Sequence, residues 1–467
     1  MQHYVGLSEL DLRQLRKETP IIYDPTELIN AHVLISGMSG TGKSTQALEL
    51  MTSAVLAGVE IDILDAHDEY ENVSNATVCM FSQATGYGYN PLELDTDPHT
   101  GGVNNQVDFF IRLIKSVTPQ FGIKQECALR NLLVDTYAAN QITQENTASW
   151  HKMSINEATR LALIESGDRE KLHQYYPTME DLKSFAKEKV IALTIGADNK
   201  CVTAFEQLTR LRKRLETLVK KQNRAVSDEE ISNLEGQISA QNLKCISSYT
   251  AFIKSMETGR EIDDVIKYDS VDVLTSVLQR INLLSATGIL SANQPPYCDS
   301  KVRVHQIKSI SNDQQILYVK LRLQDIFDRC KRKGMVAPGS PPRHIVYLEE
   351  AHKYFTSEPD DIINIIAKEA RKFGLGLWCA SQQPTAFPES FLTNVGATIL
   401  LGIHTSYWKR ASSMFRISED ALKVIKAKEV MAVKFLKDGC VDPPFSNVIV
   451  PNPNTAMGKR AIAAKPT

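Results

Sequence analysis

The sequence contains no run of 18 apolar residues, so no stretch of it can cross a bilayer as a helix. It opens Met1-Gln2-His3-Tyr4 and lacks a basic segment followed by an apolar one, which predicts no secretion signal. None of its cysteines, at positions 79, 127, 201, 245, 298, 330, 379 and 440, forms a C-x-x-C pair. That spacing argues against a zinc site or a disulfide framework and points to a reducing cytosol. Charge of one sign is not in excess either: 53 basic residues face 55 acidic ones, a formal −2. Any contact with nucleic acid must therefore come from local patches. Internal repeats and low-complexity segments are missing as well. What remains is an ordinary globular composition, 43% hydrophobic and 23% charged over 467 residues. A chain of that size is expected to form two or three units with real cores, which excludes disordered, collagen-like and disulfide-stapled classes.

Local patterns divide the chain. The first 30 residues read as a short helical stretch and a turn-rich entry, punctuated by Thr19-Pro20 and Asp24-Pro25. His32 to Ser36 is a short buried-type strand. Residues 44–57 carry Ala47, Leu48, Met51, Ala54 and Val55 at helical spacing, and Gly58 stands where a C-cap would end the helix. Ile61 to Asp65 is the next strand. Strand, Gly-rich turn, helix and strand make a βαβ unit and predict an α/β fold with a mostly parallel sheet. From about 104 to 290 the pattern is helical, with a helical hairpin expected at 205–243 and a polar turn near 223–229. The α/β rhythm returns near 300, with strands expected at 302–307, 344–348, 375–380 and 397–401 and a strand pair over 428–450. The expected organisation is an α/β core from 1–100 and 300–450, a helical insertion over 101–299, and a tail over 451–467.

Three segments carry chemistry. Gly37-Met38-Ser39-Gly40-Thr41-Gly42-Lys43-Ser44 matches G-x-x-x-x-G-K-[ST] between a strand and a helix. Its glycines let the backbone fold around phosphate oxygens, and the helix N-terminus adds positive partial charge. Lys43 would reach the β- and γ-phosphates and Ser44 would ligate Mg²⁺. Ile345-Val346-Tyr347-Leu348-Glu349-Glu350 is an apolar strand ending in two carboxylates, at the strand end where α/β sheets bind ligands. Glu349 is expected in the Mg²⁺ shell and Glu350 at the attacking water. Leu377 to Ser381 is another apolar strand, followed by Gln382, placed to hold water or sense the γ-phosphate. Arg371-Lys372 precedes it and offers a cation for a neighbouring subunit's nucleotide.

Four segments in order resemble the HerA/FtsK superfamily of RecA-like ring ATPases. They are Ala31 to Gly37 running into the phosphate loop, Asp65-Ala66-His67-Asp68-Glu69-Tyr70, Glu349-Glu350-Ala351-His352, and Arg371 to Leu377 leading to Ser381-Gln382. The resemblance implies a RecA-like P-loop core with ATP and Mg²⁺ held by Gly37, Ser39, Gly40, Thr41, Gly42, Lys43, Ser44 and Thr45, with Asp65 and Glu69 beside the nucleotide. It also implies Ser44 and Glu349 on the metal, Glu350 and Gln382 in hydrolysis, and Arg371 as an arginine finger. Ala66, Asp68 and Gln383 depart from the family's usual Pro, Gly and Arg. Only 36 residues stand before the loop, which leaves no room for the β-barrel that HerA proteins often carry there. The implied assembly is a cytoplasmic hexamer that hydrolyses ATP and translocates double-stranded DNA, with a nuclease or effector partner. Two other readings are an ATP-binding scaffold for an antiviral effector nuclease and a VirB-type conjugative secretion ATPase. Two basic clusters could touch DNA phosphates: Arg210, Arg212, Lys213, Arg214, Lys220, Lys221 and Arg224, and Arg329, Lys331, Arg332 and Lys333.

Overall fold

The computed structural model describes residues 1–118, 120–195, 199–223, 228–254, 266–356, 358–383, 385–440 and 442–466. They fall into two compact units, Met1–Tyr89 with Asn293–Thr467, and Asn90–Ala292.

The first unit is built on one sheet. Its strands are β1 (His3–Ser8), β2 (Pro20–Tyr23), β3 (Val33–Ser36), β4 (Glu60–Asp65), β5 (Ala76–Met80), β6 (Val302–Gln306), β7 (His344–Leu348), β8 (Leu375–Ser381), β9 (Ala397–Leu400), β10 (Val430–Phe435) and β11 (Ser446–Ile449). They lie in the order β2-β1-β11-β10-β9-β3-β8-β7-β4-β6-β5. From β9 to β5 every pairing is parallel, and the β10, β11, β1 and β2 extension is antiparallel. Parallel strands covered on both faces need continuous apolar runs, which is why β3, β7 and β8 are buried at every residue.

After β3 the chain enters α1 (Lys43–Leu56), which buries Ala47, Leu50, Met51 and Ala54 against Val33, Ile35, Ile61, Ile63 and Trp378 of the sheet. Full burial of a side chain such as Leu50 or Met51 is worth about 1.5–3 kcal/mol. The second unit is helical: α2 (Val103–Val117), α3 (Ile123–Ala139), α4 (Glu157–Ser166), α5 (Arg169–Leu172), α6 (Met179–Ile195), α7 (Asn199–Gln222), α8 (Asp228–Lys254) and α9 (Val271–Ser285). Helices α7 and α8 lie side by side, with Gln241 donating to the Leu211 carbonyl at 3.0 Å. The predicted polar turn between them and Arg224 fall largely outside the described residues. The first unit then resumes with α10 (Asn312–Arg332), α11 (Ile362–Glu369), α12 (Glu389–Leu392), α13 (Trp408–Phe415), α14 (Glu419–Val424) and α15 (Ala456–Ala463).

Two expectations are corrected. The first 30 residues hold two strands, β1 and β2, around a single π-helical turn at Asp11–Leu15. Every residue of β1 is buried, so it lacks the alternation that marks a half-exposed strand; pairing with β11 from the other end of the chain fixes it. The expected tail contains α15, capped by the Thr455 hydroxyl, which accepts from the Gly458 amide at 3.0 Å. It is anchored to β1 through the Tyr4 hydroxyl, which donates to the Ala461 carbonyl at 2.8 Å.

His32 staples the entry to β3. Its Nδ1 accepts from the Leu377 amide at 2.9 Å, so the ring is in the neutral form with the proton on Nε2. Burial lowers its pKa from 6.5 to about 4. A folded value below the unfolded one means the folded chain binds fewer protons, so this contribution is intact above about pH 6.5 and is lost as pH falls toward 4. We expect the urea-unfolding midpoint to decline across that window. Proton NMR should find the His32 ring still neutral at about pH 6; a ring titrating at the ordinary value would contradict this.

Candidate functional site

The loop after β3 is shaped by its glycines. A Cβ at Gly37 would lie 2.6 Å from the Thr41 hydroxyl, so that turn closes only around glycine. Gly42 caps α1 with φ 102°, a left-handed value that side chains resist. Thr41 is buried and its hydroxyl donates to the Met38 carbonyl at 2.8 Å, while the Met38 amide donates to Gly402 at 2.9 Å. Ser39, Gly40 and Thr45 are exposed at the mouth. Lys43 folds back so that Nζ donates to the Met38 carbonyl at 3.0 Å. Burial lowers its pKa, and Glu350, Glu69 and Glu349 oppose the shift in that order.

Those three carboxylates arrive from two neighbouring strands. β8 pairs with both β3 and β7, and β4 with β7, all parallel, so their carboxyl ends share one edge of the sheet. At the end of β4, Asp65 is fully buried and its carboxylate accepts from the amides of His67, Glu69 and Tyr70 at 3.1, 3.2 and 3.0 Å. The turn it holds puts Asp68 at φ 63°. This is the position where the resembled family usually has glycine, and aspartate is one of the few other residues that tolerates such a backbone. Glu69 from this turn accepts the Ser44 hydroxyl.

At the end of β7, Glu349 accepts from the Ala66 amide at 3.0 Å and pairs with His67 Nδ1 at 3.1 Å. Burial pushes its carboxyl up to about 7, against the pull of His67. Glu350 sits at φ 47°, ψ 41°, a costly backbone for a side chain of its size. Its Oε1 accepts from Gln382 Nε2 at 2.7 Å and its Oε2 lies 3.3 Å from His352 Nδ1. His352 Nδ1 also lies 2.9 Å from the Ser381 hydroxyl at the end of β8.

Thus the loop, Asp65, Glu69, Glu349, Glu350 and Gln382 come together. Arg371 does not join them. It precedes β8, at the opposite sheet edge from the loop after β3, and its guanidinium lies 3.7 Å from Asp438. Sequence reasoning gave no role to His67, His352 or Ser381; all three stood inside the motifs, and their partners are up to 282 residues away in the chain. Among the described residues no group of three or more His, Cys, Asp or Glu could hold a metal alone. The oxygens present suit a hard cation that completes its shell with phosphate, as Mg²⁺ does. Of the two basic clusters, the one ending α10 is largely neutralised: Arg329 pairs with Asp325, Lys331 with Asp328 and Lys333 with Glu60.

The family model described as the central domain of helicase HerA matches residues 12–326. The chain belongs to this HerA family. A 142-residue stretch is 28% identical to the DNA double-strand break repair helicase HerA of Saccharolobus solfataricus, covering 28% of this chain and 27% of that protein. The match thus spans about a quarter of the curated relative's length. VirB4 of Thermoanaerobacter pseudethanolicus superposes over 96% of both chains with TM-score 0.56 and 13% identity. That likeness establishes the fold, a RecA-like P-loop ATPase core with helical insertions. The plasmid coupling protein TrwB, solved with ADP and Mg²⁺, is more distant, at TM-score 0.44 and 12% identity over 96% of this chain and 94% of that one.

In this HerA-family chain the Asp65 carboxylate organises the turn that carries Glu69. Asp65→Asn removes the charge and turns one acceptor into a donor facing an amide, an expected loss of about 1–3 kcal/mol of unfolding free energy. Chemical denaturation followed by circular dichroism checks it; an unchanged midpoint would contradict the role.

Proposed function

We propose that this chain is a cytoplasmic, ATP-hydrolysing motor of the HerA/FtsK type that assembles as a hexameric ring and translocates double-stranded DNA, with a nuclease or other effector as protein partner. The observation that carries this reading is the approach of Glu350, Glu69 and Glu349, from two different strands, to the P-loop lysine Lys43.

The amides from Gly37 to Thr45 cradle the phosphates, and Lys43 turns from the Met38 carbonyl to the phosphate chain. Ser44 and Glu349 would hold Mg²⁺, with Glu69 and Asp65 behind Ser44. When bound, the ion neutralises charge on the phosphate oxygens. Gln382 and His352 fix the two oxygens of Glu350, which orients the attacking water and accepts its proton as the bond from the γ-phosphorus to ADP breaks. Arg371 is half exposed at the edge remote from its own loop. A cation there serves a neighbour's nucleotide in a ring, which supports a finger acting between subunits.

Support for DNA comes from α7. Arg210, Arg212, Lys213, Arg214, Lys220 and Lys221 are exposed on it, with Glu216 as the single acid among described residues 207–223. Such a surface binds phosphates without reading sequence. No helix among the described residues is long and apolar enough to cross a membrane.

Lys43→Ala should abolish nucleotide binding. Glu350→Gln should keep it and slow hydrolysis by about a hundredfold or more. Retained turnover in Glu350→Gln would remove Glu350 from the water. Arg371→Ala mixed with Lys43→Ala should regain part of the ATPase rate at intermediate ratios; assembled mixed rings without any recovery would argue against a finger in trans. Linear duplex DNA should stimulate the parent rate, more weakly as salt rises. Stimulation by an effector protein alone would favour the scaffold reading. Native mass measurement with ATP and Mg²⁺ should give six subunits.

A further inference from the structure

The nucleotide site is short of positive charge. Glu69, Glu349 and Glu350 act on Lys43, Asp65 lies behind Glu69, and a triphosphate would bring still more negative charge. Arg371 stands at the far edge of the sheet. Another cation, however, stands beside the loop.

Strand β10 is antiparallel to β9, with Ala432 opposite Leu400, so the start of β10 lies at the same edge as the end of β9 and the phosphate loop. Just before β10 the chain makes a tight turn. Lys426 and Val430 exchange both backbone hydrogen bonds at 2.9 Å, and the Glu429 amide donates to the Lys426 carbonyl at 3.0 Å. Lys428 occupies the turn at φ 61°, an uncommon backbone for lysine. Two ties from the segment after β11 hold it there. Asn452 Nδ2 donates to the Lys428 carbonyl at 2.8 Å, and the Val450 amide donates to the Glu429 carbonyl at 2.9 Å.

The turn brings Lys428 to the N-terminus of α1. A Cβ built on Gly42 would lie 3.9 Å from Lys428 Cγ, its one neighbour within 4 Å from elsewhere among the described residues. The side chain is exposed, and its ammonium has no hydrogen-bond or ion-pair partner among the described residues. A lysine held in a strained turn, unpaired, against the helix end that binds phosphate is arranged to add charge at that point.

We propose that Lys428 is a second cation of the nucleotide site, contacting the phosphate chain of ATP bound in the same subunit. The proposal rests on the ATP reading given above and adds a binding group from the turn that leads into β10. It makes ATP affinity depend on that turn as well as on the P-loop.

The test compares the parent, Lys43→Ala, Lys428→Asn and Lys428→Arg in the full chain. Asparagine tolerates the left-handed backbone, so Lys428→Asn deletes the ammonium and spares the turn. A fluorescent ATP analogue with Mg²⁺ reads affinity, steady-state hydrolysis reads KM and kcat, and thermal unfolding reads the fold. Lys428→Asn should raise Kd and KM about tenfold, leave kcat and the melting temperature near the parent's, and lose its deficit as salt screens the parent. Lys428→Arg should restore most of the affinity. If the parent binds ATP, Lys43→Ala does not, and Lys428→Asn matches the parent, the Lys428 proposal is overturned while the ATP reading stands. A deficit that arginine leaves uncorrected also overturns it, because the turn and not the charge would then be responsible. A parent that binds no ATP overturns both.

Discussion

The arrangement depends on one electrostatic constraint: carboxylates buried at the ends of parallel strands beside a lysine that is itself drawn out of water. Glu349 loses hydration, and its bonds to His67 and the Ala66 amide do not offset that, so its carboxyl rises to about 7. Lys43 loses hydration too, and three carboxylates only partly offset that loss. Neither group is well satisfied without a ligand. In the proposed function a cation with phosphate would supply the opposite charge to both.

Strained backbone occurs at the same edge. Asp68, Glu350 and Lys428 all have left-handed φ values, and each is fixed by contacts from elsewhere in the fold. Asp65 holds the Asp68 turn, Gln382 and His352 hold Glu350, and Asn452 holds Lys428. Non-glycine residues in this region cost of order 1–3 kcal/mol each and persist where the surroundings over-determine them. Here the surroundings are side chains that themselves sit in or beside the site.

Behind the site, a second buried charge aligns the strands. Asp62 of β4 is fully buried and accepts from Arg303 and His305 of β6, His344 of β7 and Arg322 of α10. These partners hold its carboxyl well below the usual range despite burial. A buried network of this kind contributes little net stability against an apolar replacement. What it contributes is register, because Asp62 meets all four partners only when β4, β6 and β7 are in the observed alignment. That alignment delivers Asp65 and Glu349 to the same edge.

The sequence by itself determined the phosphate loop, α1, the order of the parallel strands' segments and the long helical stretch, because each rests on local spacing or on a turn whose residues are adjacent. Asp65 and Glu349 were legible as strand-end acids for the same reason. Tertiary structure alone decided the rest. That Ser44 meets Glu69, that Glu350 is fixed by Gln382 and His352, and that Arg371 lies away from its own phosphate loop follow from strand order, which no local period encodes. Strand β1 and helix α15 went unread because each is completed by residues from the opposite end of the chain. Lys428 carried no sequence signal either: only the antiparallel return of β10 alongside β9 sets that turn against Gly42, and a lysine's charge matters to a loop only through distance.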